Sequence, residues 1–368
     1  MKKYYILLLL VWVGSLVAQE KTFTPSGKFS GLMFGDYYYN FSRDASFGGT
    51  APSNAAVSSA APGPTAMQAF QFRRVYFTYD YDMAEQFTTR FRLEVDQGTD
   101  VLTSGKISGY VKDAYLMWKN VFSGSNLIFG IQPTPAYDIS EGAWGYRSLE
   151  KTIMDLRGIV PSRDQGISLK GKLAGDGTVN YWLMIANNSA NAPETDKYKR
   201  YYAHIQVKPL PGLQATVYVD YKAAANIKNK YNNNNTVGNG VLASALFVGY
   251  SQAGSFNLGF EGFVQSTSDG YDNGTALVSK SALGLSFFGS LNLQSDLVLV
   301  ARYDNYDPNT DGNSVGDMRN YVIAGLDWKV AKNVSIMPNV LYESYEAPKT
   351  GSAPDASLTG RLTFYYTF

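Results

Sequence analysis

The stretch ASLTGRLTFYYTF, from Ala356 to Phe368, ends the chain. Every second position in it is apolar or small: Leu358, Gly360, Leu362, Phe364, Tyr366 and Phe368. The positions between them are mostly polar: Ser357, Thr359, Arg361, Thr363, Tyr365 and Thr367. Successive side chains of a strand point to opposite faces, so this pattern predicts a strand with one apolar and one polar face. Such a strand suits a soluble sheet, and it suits equally a wall that separates lipid from water.

Composition narrows the classes of protein that remain. The chain has 368 residues, a formal net charge of +1 and no cysteine. This length allows either two soluble domains or one large barrel. The near-neutral charge argues against a nucleic-acid partner, and the missing cysteine excludes disulfides and thiolate metal sites. We expect no cofactor and no metal.

The amino terminus has the layout of a secretory signal peptide. Lys2 and Lys3 precede an apolar run from Tyr4 to Val13, and the small residue Ala18 marks the expected cleavage point. No other segment approaches the roughly twenty apolar residues of a transmembrane helix. We therefore expect a signal peptide at 1–18, a short periplasmic segment at 19–27 and a barrel at 28–368.

The segment from Gln86 to Asp96 gives the clearest internal strand pattern. Its apolar set alternates with a set that contains Arg90, Arg92 and Glu94. The opposite register would place both arginines in lipid, at about 2–4 kcal/mol each near the midplane. About sixteen segments of this kind follow one another, and the length of each suits a tilted outer-membrane strand.

The connections alternate between short and long along most of the chain. Short links include 209–212, 253–255 and 331–333, and long links include 226–240, 268–276 and 308–317. Membrane barrels have short periplasmic turns and long extracellular loops, whereas a soluble β-sandwich has no reason to keep this alternation. The predicted fold is all-β: a transmembrane antiparallel up-and-down β-barrel of about sixteen strands in the bacterial outer membrane.

Several short blocks resemble the phosphate-selective porin O and P family. They are FRRVYF at 72–77, FRLEVD at 91–96, DAYL at 113–116, IFGIQPTP at 128–135, YRSLEK at 146–151 and ARYD at 301–304 with DPN at 307–309. The resemblance implies a sixteen-stranded outer-membrane pore that is commonly trimeric. It also implies that one loop folds into the channel.

The connection 133–162 is the candidate for that loop. We predict a short helix within it, capped by Ser148, running to Arg157 and stopped by Gly158, with Lys151 and Asp155 paired. The alternative is a lid that packs on the barrel mouth or on a neighbouring subunit. The predicted pore-lining and constriction residues are Arg74, Arg90, Arg92, Glu94, Arg147, Lys151, Asp155, Arg157, Arg302 and Arg361.

Selectivity for phosphate has weak support in the sequence. An anion filter needs surplus cationic groups, but the loop also carries Asp138, Glu141, Glu150, Asp155 and Asp164. Nearby acids neutralise the basic groups, so we expect weak and mildly anionic selectivity.

An enzyme is disfavoured. His204 is the only histidine, and no nucleophile motif such as Gly-x-Ser-x-Gly accompanies it, so a pore-wall histidine is the preferred interpretation.

Two function classes remain. The first is a passive porin for small hydrophilic solutes or anions, in contact with outer-membrane lipid. The second is a plugged outer-membrane barrel that acts through its extracellular loops as an adhesin or a structural protein. A soluble secreted β protein is a third possibility, which recovery in the soluble periplasmic fraction would reveal. Sixteen strands favour the porin, because side chains alone cannot fill a barrel of that width.

Overall fold

The computed structural model describes residues 23–47, 62–96, 108–233, 235–312 and 314–368. The predicted signal peptide, 1–18, lies outside these residues, as do positions 19–22. Within the described ranges no helix has the length and apolar character needed to cross a bilayer.

Sixteen strands of the described chain close an antiparallel barrel. Each pairs with its neighbours along the chain, and the last strand pairs with the first. Their bounds are β1 Ser26–Ser42, β2 Gln68–Ala84, β3 Phe87–Asp96, β4 Ser108–Phe122, β5 Ser125–Pro133, β6 Arg163–Lys172, β7 Val179–Ala186, β8 Arg200–Leu210, β9 Leu213–Lys222, β12 Val241–Gln252, β13 Phe256–Asp272, β14 Leu277–Asn292, β15 Leu297–Asp307, β16 Arg319–Ala331, β17 Val334–Tyr345 and β18 Ser357–Thr367. The fold class predicted from the sequence is confirmed.

The remaining elements are short. A two-stranded hairpin, β10 Ile227–Lys228 with β11 Thr236–Val237, lies in the connection between β9 and β12. Two helices, α1 Asp138–Trp144 and α2 Ile153–Leu156, lie between β5 and β6, and a 3-10 turn spans Ala45–Phe47.

The alternation of side chains follows the wall of the barrel. On β8 the residues Arg200, Tyr202 and His204 are buried on the inner side, while Tyr201 and Ile205 are exposed on the outer side. A closed sheet has no unpaired edge, and its two faces carry the two sets of a period-two pattern.

The closing seam joins β1 to β18. Met33 lies opposite Tyr366 and Tyr39 lies opposite Gly360. Gly31 exchanges both backbone hydrogen bonds with Phe368, at 2.8 and 3.0 Å. A Cβ atom at position 31 would overlap the Phe368 ring, so glycine lets the terminal aromatic lie across β1.

One predicted connection is largely strand. The sequence suggested a loop at 268–276, but β13 continues to Asp272 and β14 begins at Leu277. Ser279 donates a hydrogen bond of 2.7 Å to Asp269 across this extension, and Lys230 forms an ion pair of 2.6 Å with Asp272. Polar cross-strand contacts therefore replace the missing apolar pattern.

Candidate pore constriction

The connection between β5 and β6, residues 134–162, is called here the constriction loop. Its first helix, α1, ends at Gly145, which has a left-handed φ of 70° and donates its N–H to the Glu141 carbonyl. Its second helix, α2, begins after Thr152, and Gly158 follows with φ 66° and an N–H bond to Asp155. A glycine with positive φ just after the last turn is a common C-terminal cap of an α-helix, and each of the two helices has one.

The single helix predicted from Ser148 to Arg157 is wrong. The Ser148 hydroxyl caps no helix and contacts the Met337 sulfur at 3.6 Å. The backbone carbonyls of Ser148, Leu149 and Lys151 accept hydrogen bonds from arginine side chains of the wall. These carbonyls therefore bond to the wall and not within a helix, and only the turn from Ile153 to Leu156 is helical.

The apolar side of the constriction loop packs against the inner wall of the barrel. Trp144 and Leu149 are each 1% exposed, and the Trp144 ring meets the Phe288 ring edge-on at 5.4 Å. This first cluster also contains Phe247, Val298, Val300, Tyr321, Ile323, Met337 and Leu341. Burial of one large apolar side chain contributes roughly 1.5–3 kcal/mol, so these residues anchor the loop inside the barrel.

A second cluster holds the later part of the constriction loop. Ile153, Met154, Ile159 and Val160 pack with wall residues of β7 to β13: Met184, Ala186, Tyr202, Tyr218, Ala243 and Phe263. Gln265 and Arg200 donate hydrogen bonds to the Ile159 carbonyl at 2.9 and 3.3 Å. The loop therefore covers the wall from β7 to β17.

The wall formed by β2, β3 and β4 carries linked ion pairs. Glu94 lies between Arg74 at 2.5 Å and Lys112 at 2.8 Å. Asp113 lies between Arg92 at 3.2 Å and Arg163, which also contacts it directly. Further toward the short turns, Arg90 pairs with Asp80 at 2.6 Å. Each arginine of this wall therefore has a carboxylate beside it.

Two β-bulges add charges that strict alternation does not place in the lumen. The β1–β2 register shifts next to Arg73, and the β3–β4 register shifts next to Lys112. Arg73 is then directed at Asp36 on the inner side while Arg74 is directed at Glu94, and Lys112 and Asp113 are both buried. A bulge leaves one residue unpaired and turns its side chain, which explains the adjacent inward pairs.

Arg73, Lys112 and Arg163 are not among the pore-lining residues predicted from the sequence. Arg73 and Lys112 each stand beside another charged residue within a strand. Strict alternation would place one member of such a pair in lipid at a cost of about 2–4 kcal/mol, so the pair itself indicates a bulge that turns both inward. Arg163 is the first residue of β6, directly after the loop. No strand residue precedes it, so alternation does not show which face it occupies.

The predicted loop residues lie in different surroundings. Arg147 forms long ion pairs of 3.3 Å with Glu141 and with Asp155. Arg157 pairs with Glu343 of β17 at 2.8 Å. Burial on its own lowers the pKa of the Arg157 guanidinium, but the Glu343 carboxylate and its neighbours raise it by more, so the pKa lies above its ordinary value.

Lys151 differs from its neighbours. No ion pair involves its ammonium group in the part of the chain that the structure describes, and the predicted partner Asp155 pairs with Arg147 instead. Lys151 lines two cavities. One, of about 470 Å³, has as its other charged lining residues Arg73, Arg74, Arg147, Asp96 and Glu150. The other, of about 580 Å³, is also lined by Asp155, Arg200 and Lys222.

The last two predicted pore-lining residues are covered by the constriction loop. Arg302 on β15 is 3% exposed and Arg361 on β18 is 5% exposed. Arg302 donates to the Lys151 carbonyl, and Arg361 donates to the Leu149 carbonyl at 2.7 Å. Their contacts are with the loop and with neighbouring wall residues.

His204 lies on the inner side of β8 and is buried. Neither ring nitrogen has a hydrogen-bond partner among the residues described. Nucleophilic catalysis by a triad would require a serine or other nucleophile bonded to this ring. Metal-binding groups of three or more His, Cys, Asp or Glu side chains are likewise not found in the described ranges.

Comparisons with known proteins give structural but no sequence matches. No protein-family model and no curated protein matches the chain. An anion-selective porin from Comamonas acidovorans superposes with a TM-score of 0.62 at 12% identity, over 94% of this chain and 100% of that chain. The outer membrane channel DcaP of Acinetobacter baumannii gives 0.64 at 13% identity, over 94% and 97%.

A third match is OmpF of Salmonella typhi, solved in complex with daunomycin. It gives a TM-score of 0.60 at 13% identity, over 93% of this chain and 97% of that chain. At such identities the likeness concerns the fold. The chain thus has the closed antiparallel barrel fold of these porins and channels over nearly its whole length.

Proposed function

We propose that the protein is a passive outer-membrane channel for small hydrophilic solutes. The observation that carries the proposal is the placement of the constriction loop: its apolar side packs on the wall from β7 to β17, and its charged residues Arg147, Lys151 and Asp155 lie beside cavities inside the barrel. A barrel of sixteen strands narrowed from one side keeps a polar passage rather than a filled core.

The outer surface supports a membrane location. Many of its strands expose large apolar side chains, which include Phe29, Phe77, Phe129, Leu183, Val217, Leu246, Leu258, Phe287 and Val340. Soluble monomers rarely expose contiguous apolar patches above a few hundred Å². Lipid of the bacterial outer membrane, reached through the predicted signal peptide, is the environment that this surface fits.

Ion pairing supports weak selectivity. The arginines of the β2–β4 wall and Arg157 of the loop each have a carboxylate partner, which balances most of their charge. Glu94 and Asp113 are each shared by two cations, so a small positive surplus remains toward a passing ion. Lys151 adds one cation that has no ion pair among the described residues. We therefore propose a mild preference for anions, and membership of the phosphate-selective porin O and P family without a strong phosphate filter.

Planar-bilayer recording tests this function. We expect steady ohmic single-channel steps, with a reversal potential in a salt gradient that indicates slight anion preference. Phosphate added to one side should produce no block at low concentration. A protein that inserts but never conducts would contradict the proposal and would favour the plugged barrel that acts through its loops.

Lys151→Met sharpens the test. Loss of this charge at the constriction should reduce the chloride-to-potassium permeability ratio roughly two- to fourfold, because one elementary charge at close range in water contributes about 1 kcal/mol before screening. Lys199→Met is the matched control, since Lys199 pairs with Glu194 in the connection between β7 and β8. Equal reversal potentials for the two variants would show that Lys151 does not act at the constriction.

A further inference from the structure

Three arginines from strands that are far apart in the sequence converge on one short segment of the constriction loop. Arg73 of β2 donates to the Ser148 carbonyl and, at 3.4 Å, to the Leu149 carbonyl. Arg361 of β18 donates to the Leu149 carbonyl at 2.7 Å, and Arg302 of β15 donates to the Lys151 carbonyl. The segment 148–151 is therefore held at its start by Arg73 and Arg361 and at its end by Arg302.

Each of these arginines is itself fixed on the wall. Arg302 forms two bonds to Asp304, of 2.8 and 2.5 Å, and Arg73 pairs with Asp36. Arg361 donates to the Asn339 side-chain oxygen at 2.9 Å. The planar guanidinium presents several donors in a fixed fork, so one edge can bind the wall while another binds the loop.

The chemistry of the contacted atoms separates these arginines from a solute filter. Backbone carbonyls only accept, and each one here removes a guanidinium donor that a solute would need. Arg361 has no ion pair in the described part of the chain, so its buried charge is balanced by carbonyl and amide oxygens. Removing the loop would leave this cation without one of its acceptors.

We propose that Arg73, Arg302 and Arg361 are positioning residues that fix the height of the constriction loop and the place of Lys151. This inference rests on the proposed channel function. The Lys151 peptide is held at both ends, because its N–H donates to the Glu150 carboxylate at 2.9 Å and its carbonyl accepts from Arg302. The three arginines define the aperture through the backbone, and Lys151 supplies the charge.

Substitution by lysine separates the two roles. Lysine keeps the positive charge but replaces the fork with a single compact ammonium group, which cannot bridge Asn339 and the Leu149 carbonyl as Arg361 does. A role in attracting solute requires only the charge and predicts little change. A positioning role predicts that the loop loosens.

Thiol labelling reads the position of the loop directly. The chain has no cysteine, and Ser148 is 5% exposed against Met337. In a Ser148→Cys background, Arg361→Lys and Arg302→Lys together should raise the rate of reaction with a water-soluble methanethiosulfonate by about tenfold or more, because local opening controls access to a buried group. A Ser352→Cys protein, with its cysteine at an exposed site, should react at one rate with or without the lysine changes.

Conductance gives the second readout. The loosened loop should increase current noise and add substates. Single variants, Arg73→Lys and Arg302→Lys, give smaller rises in labelling and replace the double variant if it fails to fold, as judged by heat-modifiable mobility on gels.

Unchanged labelling of the Ser148→Cys thiol in folded lysine variants would overturn the inference. The labelling rate needs no ion current. A protein that never conducts would contradict the proposed function but not the positioning role. Unchanged labelling in a protein that conducts would contradict the positioning role but not the proposed function.

Discussion

Glu94 lies between two cations on the lumen wall, at 2.5 Å from Arg74 and 2.8 Å from Lys112. Its carboxylate is fully buried and supplies one negative charge between them. Breaking one partner of a buried ion pair leaves an uncompensated charge, and the cost is typically about 3–5 kcal/mol. The residue thus links the stability of this wall to the electrostatic potential of the passage.

Glu94→Gln should therefore increase anion preference. The substitution keeps the shape and removes the negative charge, so Arg74 and Lys112 are no longer neutralised. We expect the reversal potential in a salt gradient to shift in the direction opposite to that of Lys151→Met, together with a lower stability to urea.

Asp80→Asn is the matched control for that experiment. Asp80 pairs with a single cation, Arg90, and its side chain is 37% exposed. Screening by water weakens its effect, so its shift should be the smaller of the two. A larger shift for Asp80→Asn would contradict the assignment of Glu94 to the constriction.

At the scale of single residues, alternation alone could place Arg74, Arg92 and Asp113 on one face. It could not place Arg73 and Lys112, because a bulge breaks the period that the argument depends on. Nor could it identify partners: whether a cation is paired, as Arg157 is with Glu343, depends on residues that are far apart in the sequence.

At the scale of elements, the constriction loop and its apolar wall form one packed unit. The wall strand β15 contains LVLV at 297–300, which is apolar on both faces. A continuous apolar run is the pattern of a strand buried on both sides, so the sequence holds a signal for a covered wall. The helix prediction failed in the same unit, because contacts from distant arginines override local propensity.

Gly259 tests this packing. It lies directly opposite Phe288 on β14, and a Cβ atom at position 259 would overlap the Phe288 ring. Gly259→Ala should displace that ring from Trp144 and lower the free energy of unfolding by about 1–3 kcal/mol, the usual cost of overpacking. Urea unfolding followed by tryptophan fluorescence measures the change.

Gly142→Ala provides the control. It lies in α1, and a Cβ atom there meets nothing within 4 Å. Alanine favours the helix over glycine by about 1 kcal/mol, so this variant should be neutral or slightly more stable. Equal stability of the two alanine variants would show that Phe288 has room to move.

At the scale of the whole molecule, the barrel was the most predictable feature. Strand lengths, alternating connections and the terminal pattern at 356–368 each constrain the same closed sheet, and all sixteen predicted segments are strands. Agreement at several levels explains why errors at strand ends, two residues at Ser26 and several residues at the end of β13, did not change the architecture.

The outer surface of the barrel is uneven, and this suggests where copies of the chain meet. Strands β1 to β5 expose phenylalanines, among them Phe29 at 63%, Phe77 at 45% and Phe129 at 64%, whereas β12 and β13 expose mainly aliphatic residues. Large aromatic side chains are enriched at protein interfaces. We expect a homotrimer that associates through the aromatic side.

Light scattering in detergent tests this arrangement. The wild-type protein should have the mass of three chains, and Phe77→Ala with Phe129→Ala should shift the population to monomers. Leu246→Ala with Leu258→Ala removes exposed apolar groups elsewhere and should leave the mass unchanged. A monomeric wild-type protein, or equal dissociation by both pairs, would contradict the interface.

The doubly apolar wall has a consequence for the order of folding. Before the constriction loop docks, strands such as β15 present Val298 and Val300 to water on one side while Leu299 meets lipid on the other. A closed barrel with an undocked loop would hold this apolar inner surface against solvent. Loop docking therefore stabilises the closed barrel, and a chain in which the loop is delayed would stay longer exposed to aggregation at its unpaired first and last strands.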